Sequence, residues 1–235
     1  MCTVTYIPLK NNKFIFTSNR DETPLRKTIS PAKHIYNGVT LWYPKDKLAG
    51  GTWIGVSSEK RLVCLLNGGF KKHQRKSSYK TSRGVVVKEM LATPNAISFI
   101  ENFDFNDIEP FTIVLVDWKQ QLETYELVWD GTKKYFKKLA QKPQIWSSST
   151  LYTHKDKELR QQWFAKWLKE TKTFDTSTVL NFHKNTEKGT VENSLKMKRE
   201  FVETVSITSI RKEKEKIDIL YKDFVNDSIS SLVID

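Results

Sequence analysis

Two short segments near the N-terminus carry residue types from which a catalytic site could be built. Cys2 follows Met1 directly, and the polar segment 19–22 comes shortly afterwards. Removal of Met1 would leave Cys2 with both a thiol and a free α-amine. Such an amine titrates near pKa ~8 and can accept the thiol proton through a bridging water, so Cys2 would be a nucleophile with its own base. If Met1 is retained, Cys2 lacks that amine and the machinery is incomplete.

The elements around these segments predict how they meet. Residues 4–7 and 14–18 are rich in strand-forming side chains, and Asn11-Asn12 between them is typical of a turn, so a β-hairpin is predicted. The hairpin would bring Arg20 and Asp21 beside Cys2. Arg20 could then stabilise the thiolate, and Asp21 could orient the amine.

Three ordered motifs resemble those of the NRDE family, which includes the transport and Golgi organisation protein 2 group. They are Met-Cys at the start, Asn-Arg-Asp-Glu at 19–22 and Gly-Gly-Thr-Trp-Ile-Gly at 50–55. The matched segments run from Cys2 to about Gly84, where Arg83-Gly84 matches an Arg-Gly pair of the family, with weaker matches to near Ile210. The family is regarded as related to the N-terminal-nucleophile hydrolases and, more loosely, to the choloylglycine hydrolase and penicillin V acylase branch, which also begins Met-Cys-Thr.

The resemblance implies an α+β fold, a four-layer αββα sandwich of antiparallel sheets like that of the N-terminal-nucleophile hydrolases. The succession of hairpins and a few helices alone indicates only a mostly antiparallel α+β protein. With 235 residues and no internal repeat or low-complexity linker, residues 1–235 are predicted to form one domain. Helices are predicted from Arg83 with Ser82 as cap, from Asn95 with Thr93 as cap, and over 153–170 with a capping box at Thr153 and Asp156. The prolines of the segment 23–33 predict a surface loop, and the last predicted strand covers 217–224.

Asn67 follows an apolar strand directly and precedes Gly68-Gly69. The choloylglycine branch places an oxyanion donor after the equivalent strand, and Asn67 looks similar. A carboxamide aimed at a developing oxyanion could lower the barrier by ~3 kcal/mol. The alternative is an Asn that simply favours the Gly-Gly turn.

The remaining candidate residues are expected to contact the substrate. Ser148 and Ser149 lie where the choloylglycine branch usually carries an Asn, and they are candidate polar groups of the pocket. The family motifs supply three more candidates, Asn19, Glu22 and Trp53. An Arg that other family members carry late in the chain is replaced here by Thr204 or Val205.

Composition restricts the remaining possibilities. A net charge of +12 is compatible with an anionic partner, but a lysine-rich protein with its charges spread over solvated faces is the favoured explanation. We expect no membrane-spanning segment, no secretory signal and no disulfide framework, which favours the cytoplasm. The four histidines show no metal-ligand spacing, so no metal and no cofactor are predicted.

Three functions remain open at this level. The first is an N-terminal-cysteine hydrolase of an amide or related acyl bond. The second is a non-catalytic protein that binds or transports a hydrophobic or anionic small molecule, such as a lipid or haem, in the same pocket. The third, nucleic-acid binding, rests on net charge alone and has no motif to support it, so a small-molecule substrate is favoured over nucleic acid.

Overall fold

The computed structural model describes residues 3–235, which form two compact units. Within the described residues, the first unit comprises residues 3–26 and Lys142–Asp235, and the second comprises Lys27–Gln141. The expectation of one domain over residues 1–235 stays a prediction. Each unit contains one antiparallel sheet and two helices, as described below.

The first unit is built on a six-stranded sheet with the order β10-β1-β2-β11-β12-β13. Its helices are α3 (His154–Glu170) and α4 (Thr176–His183). Its strands are β1 (Thr3–Leu9), β2 (Lys13–Glu22), β10 (Gln144–Ser147), β11 (Glu203–Glu213), β12 (Lys216–Asp223) and β13 (Ser228–Ile234). The predicted N-terminal hairpin is confirmed as β1 and β2, and Asn11 and Asn12 both adopt positive φ in the turn.

The second unit is built on a seven-stranded sheet with strands in sequence order, β3 to β9. Its helices are α1 (Arg83–Ala92) and α2 (Ala96–Asn102). Its strands are β3 (Thr28–Tyr36), β4 (Val39–Asp46), β5 (Ile54–Ser57), β6 (Arg61–Asn67), β7 (Phe111–Asp117), β8 (Glu123–Trp129) and β9 (Lys134–Leu139). Strand β6 is the buried strand that its apolar sequence predicts.

Helix starts follow local capping chemistry, with two departures from the sequence prediction. Thr153 and Asp156 form the predicted capping box of α3. Helix α2 begins one residue later than expected because the Asn95 side chain, not Thr93, accepts the backbone N–H of Ser98. Ser82 occupies the cap position of α1 but makes no side-chain cap bond.

Strands at sheet edges were the hardest to predict. The segment 23–33, read from its prolines as a loop, contains the start of β3, because a register shift between Ile29 and Ala32 accommodates Pro31 on an edge strand. Strand β13 pairs with β12 after the last strand that the sequence indicated. Its outward-facing residues alternate with half-buried ones, which weakens its apolar signal.

Two family motifs meet inside the second unit. A Cβ on Gly84, at the start of α1, would lie 3.0 Å from the carbonyl oxygen of Thr52 and 3.2 Å from the Cα of Gly51. Glycine allows this close approach of helix and loop, because a side chain at this position would push the two segments apart. The Gly-Gly-Thr-Trp and Arg-Gly motifs therefore have a packing role in this unit.

Candidate active site

The first residue of β1 lies between two strand ends that carry candidate residues. Thr3 pairs with Asn19 of β2 on one side and with Ser147 of β10 on the other. The ends of β2 and β10 therefore flank the start of β1. Cys2 itself lies outside the described residues, as does Met1.

Asp21, near the end of β2, is buried and held by two hydroxyl groups. Tyr152 Oη donates to Asp21 Oδ2 at 2.8 Å, and Thr204 Oγ1 donates to Asp21 Oδ1 at 2.6 Å. Thr204 pairs with Asp21 across β2 and β11, and the register shifts immediately after it. Such bulges re-aim side chains and are frequent beside functional sites. The structure thus fixes both carboxylate oxygens of Asp21.

Arg20 and Glu22 belong to a cluster of charged groups at the same strand end. The Arg20 side chain is buried, and its Nη1 donates to the carbonyl oxygen of Arg26 at 3.2 Å. Its Nη2 lies 3.9 Å from Glu22 Oε2, which also accepts from Arg26 Nη1 at 3.3 Å. Groups at the end of β2 and in the turn after it therefore orient the Arg20 guanidinium.

Asn19 points into a buried polar network under helix α4. Its Nδ2 donates to the carbonyl oxygens of His183 and Leu195, so its Oδ1 must be the atom that faces His183 Nδ1 at 2.6 Å. His183 Nδ1 consequently carries the proton, and Nε2 accepts from Thr5 Oγ1 at 2.7 Å. Burial and, secondarily, the charge of Arg160 lower the pKa of His183 to about 3, so its ring is neutral. The predicted contact of Asn19 with substrate stays a prediction.

Arg160 of α3 is a functional candidate that the sequence analysis missed. Its guanidinium is fully buried, donates to Thr3 Oγ1 and to the carbonyl oxygens of Asn193 and Ser194, and lies 3.5 Å from the ring centroid of Tyr152. Its burial could have been predicted from its position one turn before Phe164, on the buried side of α3. A cation on an apolar face is unusual enough to require a partner.

Ser148 and Ser149 are buried in the turn between β10 and α3. Ser148 Oγ lies 2.9 Å from Thr150 Oγ1, and Ser149 Oγ accepts from Lys157 Nζ at 2.6 Å. Burial lowers the pKa of Lys157. Their position beside the start of β1 is compatible with the pocket role expected of them, which stays a prediction.

Trp53 and Asn67 belong to the second unit. Trp53 is buried, and its carbonyl oxygen accepts from the backbone N–H of Leu65 at 2.8 Å. Asn67 ends β6, pairs with Phe111, and is followed by Gly68 at φ +87°. The oxyanion role of Asn67 and the substrate contact of Trp53 stay predictions.

The described part of the chain has two further relevant properties. Within residues 3–235, no group of three or more His, Cys, Asp or Glu side chains is placed to hold a metal ion. None of the helices in that range has the length and apolar character needed to cross a bilayer.

Comparison with known proteins identifies the family. The family model described as Transport and Golgi organisation 2 matches residues 1–226. The chain belongs to this family. The family resemblance inferred from the motifs is thereby confirmed. No curated protein matches the chain by sequence.

Solved structures similar to this Transport and Golgi organisation 2 family member share its fold at low identity. An N-acylethanolamine-hydrolyzing acid amidase orthologue from Caenorhabditis elegans is 13% identical with a TM-score of 0.59, covering 89% of this chain and 92% of its own. Penicillin V acylase from Agrobacterium tumefaciens is 12% identical with a TM-score of 0.58, covering 99% and 86%. A variant of conjugated bile acid hydrolase from Clostridium perfringens is 10% identical with a TM-score of 0.55, covering 98% and 92%.

These likenesses establish the fold of the family member. Its fold class is that of the N-terminal-nucleophile hydrolases, an α+β fold with two antiparallel sheets, as the resemblance implied. Structural similarity at sequence identities of 9% to 13% establishes the fold alone. The reaction depends on the residues that this chain itself carries.

Proposed function

We propose that this protein is an N-terminal-cysteine hydrolase that cleaves an amide or related acyl bond, with Cys2 as nucleophile after removal of Met1. One observation carries the proposal. A buried carboxylate, Asp21, is held at both oxygens beside the strand start that directly follows Cys2 in the chain. Cys2 directly precedes Thr3 in the sequence.

The proposed reaction uses the two groups that Cys2 would carry. The α-amine takes the thiol proton, and the thiolate forms a C–S bond with the substrate carbonyl carbon, giving a tetrahedral oxyanion. The resulting ammonium returns the proton to the leaving nitrogen as the C–N bond breaks. Water then attacks the thioester, releases the acid and restores the thiol.

The surrounding residues have distinct roles in this proposal. Asp21 accepts a hydrogen bond from the ammonium and orients it, and the buried guanidinium of Arg20 stabilises the thiolate. The oxyanion role that the resemblance implies for Asn67 stays a prediction; loss of an oxyanion donor of this kind generally costs ~3 kcal/mol in transition-state stabilisation. Ser148 and Ser149 supply polar contacts to the substrate.

The similar solved structures support the reaction class through their names alone. They are called an acid amidase, an acylase and a bile acid hydrolase, and each shares the fold. In this chain Thr204 or Val205 occupies the position of the late Arg of other family members, and Thr204 donates to Asp21. We therefore propose the bond class and leave the acyl group open.

The decisive experiment combines intact mass with a substrate screen. Protein made without an N-terminal tag is expected to have lost Met1, and a panel of N-acyl amides is expected to give hydrolysis that Cys2→Ala abolishes. Cys64→Ala is the matched control, because Cys64 is fully buried in β6 and is expected to leave hydrolysis unchanged. Retention of Met1 would overturn the proposal and favour ligand binding, which titration with lipids and haem would then measure.

A further inference from the structure

The two donors to Asp21 come from two separate elements of the first unit. Tyr152 lies in the turn before α3, and Thr204 lies at the start of β11. Thr204 Oγ1 also accepts the backbone N–H of Met197 at 3.0 Å, so its single hydroxyl proton is committed to Asp21. Each carboxylate oxygen therefore has its own directed donor, and the carboxylate plane is fixed.

A buried cation lies behind one of these donors. The guanidinium of Arg160 is 3.5 Å from the Tyr152 ring centroid, within the range of a cation–π interaction. A cation over the ring withdraws electron density from the phenol and strengthens its O–H as a donor. Arg160 also donates to Thr3 Oγ1, so one guanidinium contacts the residue after Cys2 and, through Tyr152, supports Asp21.

We propose that Tyr152 and Thr204 are positioning residues that aim Asp21 at the α-amine of Cys2, and that Arg160 supports this arrangement from behind Tyr152. The inference rests on the proposed function, because it assigns a purpose to Asp21 in forming the thiolate. When the thiol proton moves from Sγ to the α-amine, the ammonium donates a hydrogen bond to the fixed carboxylate. Loss of either hydroxyl lets the carboxylate turn away, and less thiolate forms at neutral pH.

The experiment measures alkylation of Cys2 by iodoacetamide in the chain that begins at Cys2. This chain is produced by cleaving an N-terminal fusion directly before Cys2, with intact mass as the check. Cys64→Ala serves as the background so that one thiol is followed. Thr204→Val removes one donor and Tyr152→Phe removes the other while keeping its ring over Arg160.

Thr208→Val is the matched control on the same strand. Thr208 is buried like Thr204, but within residues 3–235 its hydroxyl makes no hydrogen bond. Thr204→Ser restores the hydroxyl without the methyl group. Asp21→Asn reports the full effect of losing the carboxylate, and thermal unfolding confirms that each variant folds.

The expected pattern separates positioning from general stability. Thr204→Val and Tyr152→Phe each slow alkylation about tenfold, the factor that one hydrogen bond to a charged group supplies. Thr204→Ser and Thr208→Val stay within about twofold of the background protein, as expected for changes that leave the Asp21 contact intact. Equal rates in Thr204→Val and Thr208→Val, or a Thr204→Ser variant as slow as Thr204→Val, would overturn the proposal.

The Asp21→Asn variant shows whether the positioning proposal fails alone or together with the role of Asp21 in the proposed function. If Asp21→Asn slows alkylation while neither Thr204→Val nor Tyr152→Phe does, the positioning role falls and the hydrolase proposal stands. If Asp21→Asn has no effect, Asp21 does not serve the Cys2 thiol, and the positioning role and the part of the mechanism assigned to Asp21 fall together.

Discussion

Asn19 Oδ1 and His183 Nδ1 are joined by a hydrogen bond of 2.6 Å in the interior of the first unit. Asn19 is the first residue of the Asn-Arg-Asp-Glu motif, and its side-chain amide also donates to two backbone carbonyl oxygens. This relationship ties β2 to α4 and to the segment before β11. It gives Asn19 a structural role next to Arg20 and Asp21.

The neutral state of His183 predicts a dependence of stability on pH. Its pKa is about 3 in the folded protein against 6.5 as the ordinary value, so the unfolded state binds the additional proton between these values. Stability is therefore fully present above pH 6.5 and is lost as pH falls towards 3. From pH 7 to pH 5 this one group is expected to cost about 2 kcal/mol.

Urea unfolding of the wild-type protein and His183→Gln measures this contribution. The advantage of the wild type over His183→Gln is expected to shrink by that amount between pH 7 and pH 5. His154→Gln is the control, because the His154 side chain is 88% exposed and should show no such change. A constant difference between wild type and His183→Gln would contradict the neutral buried ring.

Asn19→Asp is expected to destabilise the protein strongly. A carboxylate at this position would face the carbonyl oxygens of His183 and Leu195 without a proton to donate. Burial of an uncompensated charge costs about 3–5 kcal/mol, which chemical unfolding at pH 7 should show. The same substitution at Asn12, which is exposed in the β1–β2 turn, is expected to change stability by less than about 0.5 kcal/mol.

Arg61 is predicted to stabilise the C-terminal end of helix α1. Its buried guanidinium donates to the carbonyl oxygens of Met90, Thr93 and Pro94, and its Nε lies 3.5 Å from Asp117 Oδ2. Burial lowers the pKa of Arg61. Arg61→Met would leave these acceptors without their donor.

We expect Arg61→Met to cost about 3 kcal/mol in unfolding free energy. Arg75→Met provides the comparison, since the Arg75 side chain is 78% exposed and 3.9 Å from its carboxylate partner. Exposed pairs of this kind contribute at most about 1 kcal/mol. Similar losses in the two variants would show that burial is not the cause.

Gly84→Ala tests the close approach of the two glycine motifs. The added methyl group would lie 3.0 Å from the Thr52 carbonyl oxygen, and the backbone of both segments would have to shift. The expected loss is about 1–3 kcal/mol in unfolding free energy. Gly38→Ala isolates the cost of positive φ alone, because nothing lies within 4 Å of its added Cβ. A Gly84→Ala variant as stable as wild type would refute the packing role.

Several features followed from the sequence itself because they depend on neighbouring residues. The β1–β2 hairpin was predictable from alternating side chains and an Asn-Asn turn, and the start of α3 from Thr153 and Asp156 three residues later. The three family motifs predicted the fold class, which the similar structures confirm. Local propensity and capping chemistry act over a few residues and are therefore readable along the chain.

Other features were decided only by tertiary structure. Asp21 meets Tyr152 and Thr204, which are 131 and 183 positions away, and no local pattern specifies such partners. Nothing in the local sequence distinguishes His183 or Arg160 from other helix residues. In the folded chain His183 contacts Asn19, and Arg160 contacts the ring of Tyr152. Their roles depend on strand register and on how α3 and α4 pack within the first unit, because only folding brings distant polar groups close enough to satisfy one another.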